Sequence, residues 1–352
     1  MISTLRLRNF RSYRDASFEF EGGVNIVVGP NASGKTNLLE AVLVLARGSS
    51  YRARDIDLIK KNKKWAQLDG FFGSNSRVVR FENNDGGDKS AKLFSLDGKK
   101  LQRLSLERTV PVVFFEPNHL QLISQGPNSR RDYFDDLLER TKLGYKPLLA
   151  SYRRTLAQRN SLLKQPAHRA KSQLFAWDVR LSELGEKVVG SRVELIEEMN
   201  QTVAKNYSRI ATKKNQLSLG YQAQFNSQNY SSRMLSKLEA NTDLDFQRGF
   251  TGCGPHREDF SFELNGQPIS STASRGEIRS IVLALKVIEL ALVEKTRGQK
   301  PIFLLDDVFS ELDGARRRAL VKYLKKYQAI ITTTDADAVI GYFGDHNLVP
   351  LS

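Results

Sequence analysis

The 352-residue sequence predicts an α/β fold, a strand-and-helix core interrupted by a long helical insertion. Three observations predict it. Val24-Asn-Ile-Val-Val28 is an apolar run of buried-strand type that leads into Gly29-Pro30-Asn31-Ala32-Ser33-Gly34-Lys35-Thr36, a match to G-x-x-x-x-G-K-[ST] that opens a helix. Far downstream, Ile302-Phe-Leu-Leu-Asp306-Asp307 is a second apolar run, ending in two carboxylates. Lys35 and Asp306 stand 271 residues apart, whereas a compact core of this kind needs roughly 100–150 residues in all, so something is inserted between them.

The elements follow in order. Leu5, Leu7, Phe18 and Phe20 alternate in two short strands. Asn37–Ala46 carries Leu38, Leu39, Val42, Leu43 and Leu45 at helical spacing and ends near Gly48. Strand-like runs recur at Gln67–Phe72, Arg77–Phe81 and Thr109–Phe115, and Asp97-Gly98 between two short apolar runs is a hairpin signal. From about Pro127 to Lys214 the apolar residues fall three and four apart, and Pro166 marks the turn of a helical hairpin. The polar stretch 215–233 reads as a loop. Phe260, Phe262 and Leu264 then alternate before the turn Asn265-Gly266, Ile278–Leu292 is an apolar helix, and Ala315–Lys326 and Ala329–Thr333 supply a last helix and strand. These readings divide the chain into a core at 1–122, an inserted, mainly helical arm at 123–245, and the rest of the core at 246–352.

The chemistry lies in the two core motifs. A glycine-rich loop between strand and helix offers backbone N–H groups and a helix N-terminus to phosphates; Lys35 reaches the β/γ-phosphates and Thr36 supplies a Mg²⁺ ligand. Gly29, Pro30, Asn31, Ala32, Ser33, Gly34 and Asn37 complete that cradle. Asp306 would hold Mg²⁺, directly or through water, and Asp307 would orient or deprotonate an attacking water, which makes Lys35 and Asp307 the catalytic candidates. A third element, Ser274-Arg-Gly276-Glu277, places a hydroxyl, a glycine and free N–H groups at the start of the apolar helix. One chain has no obvious use for two anion-binding surfaces on one phosphate tail. A pair of chains does, each completing the γ-phosphate site of the other; the plainer alternative is an ordinary helix cap.

Net charge is +15 and the pI about 9.8, which favours a polyanionic partner. The segment 127–214 alone holds 18 Lys and Arg against 10 Asp and Glu. Arg153, Arg154, Arg159, Lys164, Arg169 and Lys171 gather near the expected hairpin tip, and Arg52, Arg54, Lys60, Lys61, Lys63 and Lys64 form a second basic cluster. Either suits phosphates, with binding that weakens steeply with salt, and the sequence does not rank them. There is no apolar run of about 18 residues and no signal-peptide pattern, so a cytoplasmic protein without a membrane span is expected. A single cysteine, Cys253, excludes an intrachain disulfide framework, and four histidines argue against a zinc site.

Walker A, helical insertion, S-x-G-[EQ] signature, Walker B and the loop Ser310-Glu-Leu-Asp313 come in the order of SMC-type ABC ATPase heads. More closely, the chain resembles the RecF family. Matching stretches include Leu7–Arg11, Gly29–Ala41, Ser50-Tyr-Arg52, Gly126-Pro127 before Arg130-Arg131, Gly254-Pro-His256-Arg257, Ser274–Glu277 and Leu304–Asp313. The resemblance implies an ABC-type P-loop head that dimerises on ATP around two sandwiched nucleotides, hydrolyses ATP slowly, and binds duplex DNA and gapped, single-strand-containing junctions. It also implies work with RecR and RecO in loading RecA during repair and the SOS response, and a phosphate contact by Arg11. The chain departs from the pattern at Pro117-Asn118-His119, where an acidic pair is usual, which leaves the Q-loop residue open with Gln121 and Gln125 only nearby. Where many transporter cassettes carry a switch histidine this chain has Thr332–Asp335, and a Walker B glutamate is replaced by Asp307, as in RecF-like chains. The shorter acid suggests a switch more than a motor.

Overall fold

The computed structural model describes residues 1–83, 90–212 and 215–351. In chain order it begins with strands β1 (Ile2–Phe10), β2 (Tyr13–Glu19) and β3 (Val24–Val28), helix α1 (Lys35–Arg47), and strands β4 (Trp65–Phe72), β5 (Asn75–Glu82), β6 (Ala91–Leu96), β7 (Lys99–Leu101) and β8 (Val112–Phe115). Helices α2 (Pro127–Thr141), α3 (Tyr145–Leu162), α4 (Ala167–Asn200) and α5 (Val203–Ala211) follow, then β9 (Leu217–Gln222), α6 (Tyr230–Ala240) and α7 (Thr242–Arg248). The chain continues through β10 (Asp259–Leu264), β11 (Gln267–Pro268), α8 (Ile269–Thr272), α9 (Arg275–Arg297), β12 (Ile302–Asp306), α10 (Gly314–Leu324), β13 (Ala329–Thr333), α11 (Asp337–Ile340) and β14 (Asn347–Pro350). Among the described residues no helix is long and apolar enough to cross a membrane.

The chain forms two compact units, one of residues 1–120, 209–212 and 279 onward, the other of 121–208 and the described residues up to 278. The return to the core therefore falls at 279 rather than at the expected 246. The reason is strand pairing: β10 runs antiparallel to β9, in register from Asp259↔Gln222 to Leu264↔Leu217, so it belongs with the insertion. The polar stretch 215–233 is accordingly a strand and a helix start, not a loop. Its Leu217 and Leu219 face inward while Ser218 between them faces out. Lys213 and Lys214, the end of the expected helical run, lie outside the described residues.

In the first unit a parallel sheet of order β14-β3-β13-β12-β8 and an antiparallel sheet of order β2-β1-β4-β5-β6-β7 share one core. Helix α1 lies in that core, with everything from Leu38 to Ala46 buried. A stretch apolar but for Glu40 is explained by this placement in the core, each buried leucine being worth about 2 kcal/mol. It ends at Gly48, left-handed at φ 87°, whose N–H closes on the Val44 carbonyl. Asp97 and Gly98 both take positive φ, as a two-residue hairpin turn between β6 and β7 requires.

The second unit is a helical hairpin, α3 and α4, turned at Pro166, with the short sheet β11-β10-β9. Its interior holds charge as well as hydrocarbon. Arg192 forks onto Asp135, with bonds of 3.0 and 2.9 Å, and also donates to the Pro255 carbonyl at 2.7 Å. Arg159 bonds Asp178, Asp245 (2.7 Å) and the Thr251 hydroxyl (2.9 Å) while wholly buried.

Candidate nucleotide site

Strand β3 is buried from Val24 to Val27 and delivers the loop at its carboxyl end. Gly34 sits left-handed at φ 102°, and a Cβ there would lie 2.8 Å from the Tyr13 hydroxyl, which donates to the Gly34 carbonyl. Gly29 is needed for a different reason: a Cβ would come within 2.8 Å of the Leu351 carbonyl, because β14 and its continuation run against β3. Lys35 curls over the loop, its ammonium donating to the Gly29 and Pro30 carbonyls at 2.6 and 2.8 Å. The Ser33 hydroxyl is buried without a hydrogen-bond partner.

β12 lies between β13 and β8, so its carboxyl end faces the same edge as the loop. There the Thr36 hydroxyl donates to one Asp306 oxygen at 2.8 Å and the Thr332 hydroxyl to the other, also at 2.8 Å. Thr36 and Asp306 thus already form the oxygen pair that a hard divalent cation takes from a protein, the remaining ligands being water and phosphate. Among the described residues no cluster of three or more His, Cys, Asp or Glu could hold a metal.

Asp307 takes φ 50°, and one of its carboxylate oxygens is buried without a hydrogen-bond partner. Burial, with Asp306 alongside, raises its pKa, opposed by Ser310 and Lys35. A cavity of about 390 Å³ opens between these groups. It is lined by Asn31, Ala32, Gly34, Lys35, Thr36 and Asn37, with Asp306, Asp307 and Pro117. Eight of those nine are residues the two motifs point to. A phosphate-bearing ligand fits the volume and the chemistry, a lysine and loop N–H groups beside two carboxylates that need a cation between them and the phosphates.

Arg11 is not among the lining residues. It forks onto Glu40 with bonds of 2.8 and 2.9 Å, and Arg52 does the same from the other side at 3.2 and 3.0 Å. The Ser50 hydroxyl adds a third donor, and Arg52 also reaches Asn37. Burial alone would raise the Glu40 pKa, but the bonds from Arg11, Arg52 and Ser50 bring it down to about 2. Glu40 stands one turn after Thr36 on α1, so this knot braces the loop's helix from outside the cavity. Three separate sequence stretches meet there, and only their proximity in space reveals it.

Glu116 follows β8, which pairs with β12 up to Phe115↔Leu305. Burial raises its pKa, and the nearby Asp306 adds to the rise. Gln121 and Gln125 bond each other at 3.4 Å.

In the second unit, Ser274 caps α9. Its N–H and hydroxyl each meet Glu277 at 2.9 Å, and the Glu277 N–H returns to the Ser274 oxygen at 3.3 Å. Gly276 lies in that first turn. His256 meets the Tyr152 hydroxyl at 2.7 Å and the Thr251 carbonyl at 3.2 Å, and burial lowers its pKa to about 4, so it is neutral. The Gly254–Arg257 stretch is thereby a pinned loop. Burial pushes the Cys253 thiol up to about 12, which makes it unreactive.

The expected hairpin patch does not survive intact. Arg159 is buried on its two aspartates, Lys171 pairs with Asp243 at 3.2 Å, and Arg153 lies 3.8 Å from both Asp132 and Asp135.

A Walker A loop and a Walker B strand on a parallel sheet, an antiparallel sheet beside it and a helical insertion define an ABC-type ATPase head of the SMC kind. The RecF/RecN/SMC N terminal domain model matches residues 1–342. DNA replication and repair protein RecF of Lachnoclostridium phytofermentans is 34% identical over 345 residues, 97% of this chain and 94% of that one. A solved structure of the recombination mediator protein RecF-ATP in the RecFOR pathway superposes with TM-score 0.82 at 30% identity, covering 95% of this chain and 92% of that one. The SMC head bound to the C-winged helix domain of ScpA gives 0.53 at 17% identity over 98% and 93%, a likeness of fold alone. The chain belongs to the RecF family.

Proposed function

We propose that this chain is an ATP-dependent DNA-binding recombination mediator, a weak ATPase that uses hydrolysis as a switch. The observation that carries the reading is the preformed Thr36–Asp306 pair beneath Lys35, in a cavity lined by Walker residues. The relative solved as RecF-ATP in the RecFOR pathway supports ATP as the nucleotide. Thr36 and Asp306 would hold Mg²⁺, whose charge neutralises the phosphate oxygens. Lys35 leaves its loop carbonyls for the phosphates, the loop N–H groups bind them, and Asp307 aims a water with its unpartnered oxygen.

Two heads would close on two ATP molecules, with Ser274, Gly276 and Glu277 of each completing the site of the other. Turning the Ser274 hydroxyl to a phosphate requires it to leave Glu277, so the capping box is the resting arrangement of the signature. The closed pair would hold duplex and gapped DNA and, with RecR and RecO, promote RecA loading at single-strand gaps; hydrolysis would release it.

Light scattering with and without ATP and Mg²⁺, repeated with gapped duplex, tests nucleotide, dimer and DNA together. The wild type is expected to double in mass with ATP. Ser274→Arg is expected to stay monomeric with unchanged nucleotide affinity, and a Ser274→Arg chain that still dimerises refutes the sandwich.

A further inference from the structure

The segment that runs beside the β1–β2 turn is held by backbone and armed with side chains. Arg11 donates its N–H to the Leu58 carbonyl at 2.9 Å, Lys60 donates to the Asn9 carbonyl at 2.8 Å, and Phe10 bridges Ile59. The Lys63 N–H closes on the Lys60 carbonyl at 3.0 Å, making a turn in which Asn62 is left-handed at φ 64°. Asn83 anchors the exit by donating to the Lys64 carbonyl at 2.7 Å. On this fixed frame Lys61, Lys63 and Lys64 are exposed, as is Arg14 on the strand that follows the turn. Among the described residues no carboxylate pairs with any of the four.

We propose that Lys61, Lys63 and Lys64, with Arg14, form the surface by which the nucleotide-binding unit grips the phosphate backbone of duplex DNA. The inference rests on the DNA-binding reading above and gives it a location. Unneutralised like charges crowded on one rigid turn repel one another, and a polyanion relieves that while releasing its own counterions. The alternative basic cluster, at the hairpin tip, has Arg159 and Lys171 already committed to aspartates. Finally, none of the large exposed apolar side chains falls within 9–19 or 52–64, which leaves the strip without the anchors that a membrane surface or a protein hot spot requires. Lysines on a turn read phosphate, not base edges, so no sequence preference is expected.

The location borders the nucleotide site. Ser12, on the same turn, accepts a bond from Asn37 at 3.0 Å and receives Lys60 on its carbonyl, while Tyr13 touches Gly34. The strip and the phosphate loop therefore share one support.

The test is a full-length variant carrying Lys61→Gln, Lys63→Gln and Lys64→Gln, assayed by anisotropy on a labelled duplex with ATP and Mg²⁺ across a KCl series. Nucleotide affinity and melting temperature are expected to match wild type. Duplex affinity should fall about tenfold or more, and the slope of log affinity against log salt should become shallower by about two to three, near 0.9 per lost phosphate contact. Lys164→Gln with Arg169→Gln at the hairpin tip should move the slope by less than about one. A triple variant with wild-type affinity and slope overturns the assignment alone. A wild-type chain that ignores duplex but is retained on phosphatidylglycerol vesicles overturns both this assignment and the function it rests on.

Discussion

Charge is buried in both units, but on different terms. Around Arg159 and Arg192 in the second unit, arginines and aspartates answer one another: Asp178, Asp245 and Asp135 each accept from a guanidinium, and Tyr145 adds its hydroxyl to Asp135 at 2.6 Å. At the phosphate loop of the first unit the pairing is deliberately incomplete. Asp307 keeps an oxygen without a partner, Lys35 rests on carbonyls instead of an anion, and a left-handed aspartate is held in place. The difference separates scaffold from site. Around Arg159, whose Nη2 lacks a partner but whose other guanidinium nitrogens meet aspartates, the ionic network fixes geometry, whereas unpartnered groups that line a cavity mark where a ligand enters.

The largest effect is expected at Lys35. Lys35→Ala should weaken ATP binding on the order of 100-fold or more, since a charge-assisted contact to phosphate is lost, while the melting temperature barely moves. Titration with a fluorescent ATP analogue against thermal melts would show it. Arg159→Met should do the opposite. Leaving Asp178 and Asp245 buried without their cation should cost about 3–5 kcal/mol in urea unfolding, with nucleotide affinity unchanged. Asp307→Asn adds to the contrast: asparagine tolerates the left-handed backbone and removes a half-buried charge with one unpartnered oxygen, so stability should rise by about 1 kcal/mol while phosphate release stops. A loss of stability there would mean that the site is as well satisfied as the scaffold.

The smallest effect is a pH dependence. The Glu40 carboxyl titrates near 4.5 in the unfolded chain and at about 2 when folded, so its contribution is complete above 4.5 and is lost as pH falls from there toward 2. Comparing urea midpoints at pH 5 and pH 3 for wild type and Glu40→Gln should show the wild type losing more across that window.

Much of this was legible in the sequence, for physical reasons. The Walker motifs are local, each carrying strand, turn and carboxylate or glycine in one stretch, and the hairpin turn at Pro166 follows from a missing N–H. Arg159 departs from expectation because a basic run on a helix reads as solvated surface, whereas this guanidinium is buried. A signal was present: Tyr152, Thr155, Arg159 and Leu162 are spaced as one helical face, and all four are buried. β14 had no local signal, since a four-residue strand is specified by its partner β3 more than 300 residues earlier. The Glu40 knot needed a strand turn, a helix and a loop to meet, and β9 hid in a polar stretch whose inward positions alone are apolar.

The positive φ at Asp307 restricts which acid can stand there. Short polar residues accept that bend, and a longer glutamate resists it. The same kink, with the shorter side chain it favours, would keep the acid at arm's length from a water. In the cycle proposed above such a site would act as a timer: a backbone that favours aspartate would lengthen the interval between capture and release.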